Sequence, residues 1–309
     1  MLKFALKKVA SLIPVLIFTT FIIFMVNHLS PGDPATFMIC HVNPERSVLE
    51  FREMHGLNDP VLVQFTNYMT GIFRGDFGLS FTRNVNIADE IMERSPNTLR
   101  LGLVTLSSSL ILSVSLGTLV AANKKAWLDT VLKYATLTSV SVPVFGLGLL
   151  LVVIFSLELG WLPSSGANDW SSIILPGVSL GLGITFSMIY SVRSSVLTVC
   201  RQGYIRVARA NGLSKMIICK YVFRNTIAPI LTAFRAHLGS FFIGMILVEV
   251  TFAWPGIGRL FIQGILARDY PMVMGVAFMF VLFYAVVNIA LDIVMGAVDP
   301  RVRGVVAGI

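Results

Sequence analysis

Charged residues are scarce in this chain. Only 24 Lys or Arg and 16 Asp or Glu occur among 309 residues, 13% in all, against about a quarter in soluble domains. A soluble protein of this length must cover a large solvated surface, and so few charges cannot do it. With 55% hydrophobic residues and a mean hydropathy of +0.81, the surplus needs lipid. Disordered, collagenous and disulfide-scaffold classes fall with the same numbers. Cysteine is sparse too: Cys40, Cys200 and Cys219 are odd in number and far apart, forming neither a disulfide framework nor a Cys-x-x-Cys metal site. His28, His41, His55 and His237 show no helical i, i+4 pairing. No Gly-x-x-x-x-Gly-Lys-Ser/Thr occurs, which excludes ATP hydrolysis on a P-loop of this chain. His-Glu-x-x-His, Gly-x-Ser-x-Gly and a Gly-x-Gly-x-x-Gly after a strand are missing as well. No nucleophile has a base in reach within a span. No catalytic residue, bound cofactor or metal is therefore expected. The net charge of +8 would suggest nucleic acid in a soluble chain; in a membrane chain it reports positive cytoplasmic loops, and no nucleic-acid partner is expected.

What is present is a set of long apolar runs. A bilayer core of about 30 Å needs roughly 20 apolar residues of helix. Six stretches qualify: Val9–Leu29, Leu99–Ala122, Thr130–Leu157, Ser172–Val192, Ile227–Val250 and Pro271–Val298. Pro143 falls inside the third and predicts a kink. The first follows Lys3, Lys7 and Lys8 like a signal peptide, but its core is longer and no small-residue cleavage site follows, so it reads as an uncleaved anchor. With the N-terminus inside, 15 of the 24 Lys and Arg collect on the inner side. Most outer ones lie in one long loop, which crosses largely regardless of charge. Both termini are thus expected inside, in a multi-pass membrane protein.

Four regions follow: a first segment and span over 1–29, an outer cap over 30–98, a membrane core over 99–298 and an inner tail over 299–309. The cap carries nine acids and five bases. Apolar runs such as Val61–Phe65 predict a small core of its own. The inner loop 193–226 carries seven basic residues and no acid. Within it, Tyr204, Ala208 and Gly212 fall at i, i+4, i+8, and Arg206 and Arg209 at i, i+3. One reading is a basic helix on the anionic inner leaflet. The other is a short helix whose small residues admit a soluble partner closely. Gly212 also suits a left-handed helix end.

Tyr204-x-Arg206-x-Ala208-Arg209-Ala210-x-Gly212-Leu213, followed by Arg224-Asn225 and Pro229, resembles the coupling-helix motif of ATP-binding-cassette importer permeases. It is closest to the dipeptide/oligopeptide/nickel branch. The general motif begins Glu-Ala-Ala; here Arg206-Val207-Ala208 stands instead, as is usual in that branch. Pro31-Gly32-Asp33-Pro34, Gly56-Leu57-Asn58-Asp59-Pro60, Gly75-Asp76-Phe77-Gly78-Leu79-Ser80, Trp161-Leu162-Pro163, Ala253-Trp254-Pro255-Gly256-Ile257-Gly258, Arg268-Asp269-Tyr270-Pro271 and Asp299-Pro300-Arg301 match the family in order and spacing over nearly the whole chain. The resemblance implies an all-α membrane fold of six transmembrane helices, with a cap after the first and a coupling helix between the fourth and fifth. It implies a second permease subunit, two ATP-binding subunits that use ATP and Mg, and an extracytoplasmic substrate-binding protein. Transport would run by alternating access. The cargo would be a di- or oligopeptide; nickel and glutathione are the alternatives. A self-sufficient channel or secondary transporter is the reading from another class, against which the docking motif speaks.

Polar residues in the spans are the pathway candidates. Arg235 and His237 lie eight and ten residues into the fifth span, about 12–15 Å deep. An ionisable group there faces a cavity or a partner. Arg235 reads as an ion pair with Asp292, as a pathway residue, or as snorkelling inward. His237 reads as a substrate or metal contact, or as a neutral bond between helices. Asn288 and Asp292 stand at i, i+4 on the sixth span. Glu249, at the outer end of the fifth, reads as a gate or cap contact or as a solvated carboxylate. Trp254, Pro255 and Gly256 read as a turn with an interfacial aromatic, or as a binding-protein contact. Phe77-Gly78-Leu79-Ser80 reads as a cap-folding turn rather than a substrate contact.

Overall fold

The computed structural model describes residues 2–29, 48–54, 56–123 and 126–298. Pro31–Pro34, Cys40, His41, Arg46, His55, Lys124, Lys125 and the tail from Asp299, with Arg301 and Arg303, lie outside them. The helices run in order α1 (Leu2–Leu29), α2 (Val48–Met54), α3 (Val61–Phe73), α4 (Ile87–Ala122), α5 (Ala126–Ser141), α6 (Val144–Val152), α7 (Ile174–Cys200), α8 (Gly203–Ala210), α9 (Lys215–Thr251), α10 (Ile257–Leu266) and α11 (Tyr270–Val298). A π-helical turn, Val153–Glu158, extends α6, and a 3-10 turn, Trp170–Ile173, leads into α7. Among the described residues there is no strand, only an isolated bridge between Leu79 and Asn86.

Five of these helices are long and apolar enough to cross a membrane: α1, α4, α7, α9 and α11. The third expected span is not one kinked rod. Its helix stops at Ser141, restarts at Val144, and the two pieces meet at 96°. Pro143 has no N–H to continue α5, and it pushes Val142 out of the helical region. Its own φ of −58° and ψ of 135° then start α6 afresh. Counted as one crossing, the bent pair makes six.

Several helices overrun the lipid-length estimates. α4 begins at Ile87, so its first turns fall within the 30–98 segment. α7 continues to Cys200 and α9 begins at Lys215, which shrinks the inner loop 193–226 to residues 201–214. Apolar length marks where lipid ends; a helix ends only where something closes its backbone. For α4 that is Asn86, whose side chain accepts from Ala88 N–H at 2.9 Å.

α7 is the centre, packed against α4, α5, α6 and α9. Lipid tails give little hydrophobic drive between helices, so close packing of small residues must supply it. On α4, Thr105, Ser109, Ser113, Gly117 and Ala121 repeat every fourth residue and are all buried. Opposite, a Cβ at Gly181 would lie 2.8 Å from Ser109 Oγ. One at Gly117 would lie 2.7 Å from Val192 Cβ. On the other flank, Phe65, Met69 and Ile72 of α3 pack with Phe24 of α1 and Phe278 of α11.

Gly117→Leu should cost about 1–3 kcal/mol through overpacking, read as a lower melting temperature in detergent. Gly146→Leu, where nothing lies within 4 Å of the added Cβ, should leave it unchanged. Equal shifts would refute the close-packing account.

Candidate coupling helix, pathway residues and outer knot

The short helix α8 hangs between the C-terminal end of α7 and the N-terminal end of α9. Ile205 is fully buried and packs with Val199 of α7 and Val222 of α9. Ala208, one turn on, is buried on the same face. The small residue that suggested close approach of a partner therefore faces this chain's own helices. The outward face is made by Tyr204 (47% exposed) and Val207 (58%), with Arg206, Arg209 and Ala210 also exposed. Gly212 has φ +73° and closes α8: its N–H donates to the Arg209 carbonyl (3.1 Å), and that of Leu213 to the Ala208 carbonyl (3.2 Å). This paired closure needs a left-handed residue at the Gly212 position.

The same closure recurs at Gly75 after α3, Ala253 after α9 and Arg268 after α10, with φ of +80°, +48° and +52°. At Ala253 and Arg268 a side chain bears the left-handed conformation that glycine accepts more readily.

Arg235 and Asp292 meet. Arg235 Nη1 is paired with Asp292 Oδ1, and its Nε donates to Asn288 Oδ1 at 3.1 Å. Lys8 Nζ lies 2.7 Å from the other oxygen, Asp292 Oδ2. α1, α9 and α11 are thus tied at one carboxylate. The Lys8 contact places Arg235 and Asp292 beside the N-terminal part of α1. Lys8, read only as an anchor charge, was missed because its partner is 284 positions away by the numbers of the pair.

His237 points elsewhere. It lines a cavity of about 340 Å³ with Ser139, Ser179, Ser187 and Ser240, bounded by the α5–α6 break, α7 and α9. The serines went unremarked in sequence, although Ser179, Gly183 and Ser187 share an i, i+4, i+8 face. Among the described residues no group of three or more His, Cys, Asp or Glu is placed to hold a metal ion.

At the opposite end, Glu249 is neither solvated nor at the surface: it is 0% exposed. Thr98 Oγ1 donates to its Oε1 (2.6 Å), and Gly258 and Arg259 N–H donate to its Oε2 (2.7 and 3.1 Å). Its carboxylate thereby caps the N-terminus of α10, where negative charge is favoured. Trp254, also 0% exposed, is not an interfacial aromatic; its Nε1–H donates to the Asn97 carbonyl at 3.1 Å. Asn97 Nδ2 donates to the Pro255 carbonyl at 3.0 Å. A Cβ at Gly256 would collide with the Glu249 carboxylate, and one at Gly258 would lie 2.9 Å from it. Both glycines are there for close approach.

A second buried carboxylate sits nearby. Asp269 accepts from Ser80 Oγ (2.5 Å), Thr82 Oγ1 (2.7 Å) and Phe81 N–H (3.2 Å), and from Met272 N–H at the start of α11 (3.3 Å). The motifs around Phe77–Ser80 and Arg268–Pro271, far apart in sequence, are thus one hydrogen-bonded unit.

Residues 113–304 match the family described as the binding-protein-dependent transport system inner membrane component, and residues 1–102 match its N-terminal companion. The chain belongs to that family. It is similar to the glutathione transport system permease protein GsiC of Salmonella choleraesuis (strain SC-B67), 34% identical over 304 residues. The relatives of Escherichia coli (strain K12) and Shigella dysenteriae serotype 1 are each 34% identical over 305 residues. In each case 98% of this chain and 99% of the relative are covered. The protein is therefore a multi-pass inner-membrane permease subunit of an ATP-binding-cassette importer in the peptide/nickel family. Such a subunit is not an enzyme; separate subunits hydrolyse ATP. Membership implies a substrate-binding protein, an ATPase and a second permease as partners.

Glu249→Gln places an amide N–H₂ against donors that now meet oxygen, and should cost about 1–3 kcal/mol in denaturant unfolding. Ala253→Gly relieves a left-handed side chain and should gain about 1 kcal/mol. A Glu249→Gln variant as stable as the parent would remove the carboxylate from its capping role.

Proposed function

We propose that this chain forms half of the translocation pathway for a small peptide, with glutathione or a similar modified peptide as cargo. It pairs with a homologous permease subunit, most simply as a heterodimer. The cargo assignment draws on the relatives, which are named glutathione permeases. No observation favours nickel over it.

In this reading the two ATP-binding subunits dock on the inner loops of the permease pair, and α8 is this chain's share of that surface. The observation that carries it is the division of α8 into two faces. Ile205 and Ala208 fasten it to α7 and α9, while Tyr204, Arg206, Val207, Arg209 and Ala210 stand outward beside exposed Met216 and Ile217. A helix lying on anionic lipid would use these charges too; what suits α8 to coupling is that Ile205 and Ala208 fasten it, so that a push on it reaches α7 and α9. ATP binding draws the ATPases together and moves α8, and the attached α7 and α9 swing between inward- and outward-facing states. The two states need only differ in their contacts to α8. Both termini are cytoplasmic. The segment 30–98 is an extracytoplasmic cap on six spans, with the bent α5–α6 pair counted as one. Residues 99–298 form the permease core, and 299–309 the cytoplasmic tail.

Asn97, Thr98, Glu249, Trp254, Pro255 and Gly256 hold the outer end of the pathway shut as a gate brace, below the surface that receives the binding protein. Arg235, Asn288 and Asp292 brace its inner end, and His237 lines it.

Replacing Val207 by Glu should leave membrane insertion normal, abolish co-purification of the ATP-binding subunits and reduce uptake at least about tenfold, the scale of one lost contact of 1.4 kcal/mol. Gly212→Asn, which tolerates a left-handed backbone, should keep uptake, whereas Gly212→Val should lose it. Wild-type uptake by Val207→Glu would dismiss α8 as the coupling element.

A further inference from the structure

The cavity at the broken third span has a chemical bias of its own. Ser139, Ser179, Ser187, Ser240 and His237 line it, together with Gly183 and apolar residues such as Leu180 and Phe241, and no Asp, Glu, Lys or Arg does. Three of the four serine hydroxyls are already spent as donors. Ser139 donates to the Thr136 carbonyl (2.9 Å), Ser179 to that of Leu175 (2.7 Å) and Ser240 to that of His237 (2.9 Å). Each therefore offers only lone pairs to the cavity.

The backbone adds to this. Pro143 has no N–H, so the Ser139 carbonyl, four residues earlier, loses its helical donor. That carbonyl faces α7 where Gly183 has no side chain: a Cβ there would lie 3.4 Å from the Ser139 oxygen. The last carbonyls of α5 end at the same break, but α6 starts there and its positive end opposes them, so the bias rests on the serine oxygens and the Ser139 carbonyl. Irregular backbone at membrane depth persists where it is buried in protein or lines a water-filled cavity. A volume of about 340 Å³ lies within the roughly 300–1,000 Å³ usual for small-ligand sites.

We propose that this cavity is a cargo subsite selective for a protonated amine, which it receives on serine and backbone oxygens without a carboxylate. The ammonium group of a free peptide amino terminus fits it; a carboxylate or phosphate does not. Using oxygen dipoles instead of a fixed anion holds the cargo weakly enough to release it. His237 is the specificity-determining residue of the site, being the one imidazole among the residues that line it; its unprotonated form has a ring nitrogen that accepts.

The inference rests on the permease reading, and its test separates the two. In the assembled transporter in membranes, Ser187→Cys or Ser240→Cys is made on a background with Cys40, Cys200 and Cys219 replaced by Ser. Each is labelled at pH 8, where an imidazole is neutral, with a cationic aminoethyl and an anionic sulfonatoethyl methanethiosulfonate. Rates are taken relative to a free thiol in solution. The cationic reagent should be favoured about tenfold at both positions, and adding His237→Lys should erase the preference. A ratio near that of the free thiol, or no labelling by either reagent, overturns the subsite. Stimulation of the partner ATPases by the binding protein in the wild-type complex tests the permease reading alone. If stimulation is present and the labelling ratio is flat, only the subsite falls.

Discussion

In a membrane no water closes the end of a helix, so every buried terminus needs a partner from the chain itself. Most of the specific architecture here answers that demand. Glu249 closes the start of α10, Asp269 the start of α11 and Asn86 the start of α4. Left-handed residues close the ends of α3, α8, α9 and α10. The two buried carboxylates do more than cap. Each has oxygens left over, and these draw in Thr98 from α4 or Ser80 and Thr82 from the turn before it. Capping a helix and assembling the outer face of the protein are thus the same event, which explains why glycines cluster around Glu249: the carboxylate has to fit between backbones.

Apolar length made five crossings legible, and the sixth in composition if not in shape. Proline chemistry at Pro143 signalled a disturbance but not its size, because a missing N–H does not say where the restarted helix will point. Helix ends were the least readable. The sequence of α9 turns basic and mixed before Ile227, yet nothing there interrupts a helix until Ser214. Among site residues, the face shared by Arg235, Asn288 and Asp292 was visible because an isolated charge in an apolar run needs a partner. The part of Lys8 was invisible, since its role depends on α1 lying beside α11. Glu249 kept two readings, a contact or a solvated carboxylate, for a related reason. At a span's end a carboxylate in water and one under a helix terminus look alike in sequence, and only Gly256 and Gly258 hinted that something was to be fitted closely.

In α8, Ala208 suggested a surface for others, but a helix of two turns must first be held by its own chain. Ile205 and Ala208 serve that purpose, while the small Ala210 and Gly212 stay exposed with Tyr204 and Val207. The small-residue rule does apply to this protein, between α4 and α7, where Gly117 and Gly181 let two backbones touch.

α9 is 37 residues long, from the contact with α8 at Val222 to the Glu249 knot at its far end. At 1.5 Å per residue it is a rod of about 55 Å, carrying a single interior proline, Pro229. Pivoted near its foot, such a rod displaces its tip by about 1 Å for each degree of tilt. A hydrogen bond of 2.6–3.1 Å does not survive a lengthening of that size. A tilt of a few degrees would therefore strain every bond that Glu249 makes, so the knot around it is tied to the angle of a helix whose other end lies about 50 Å away.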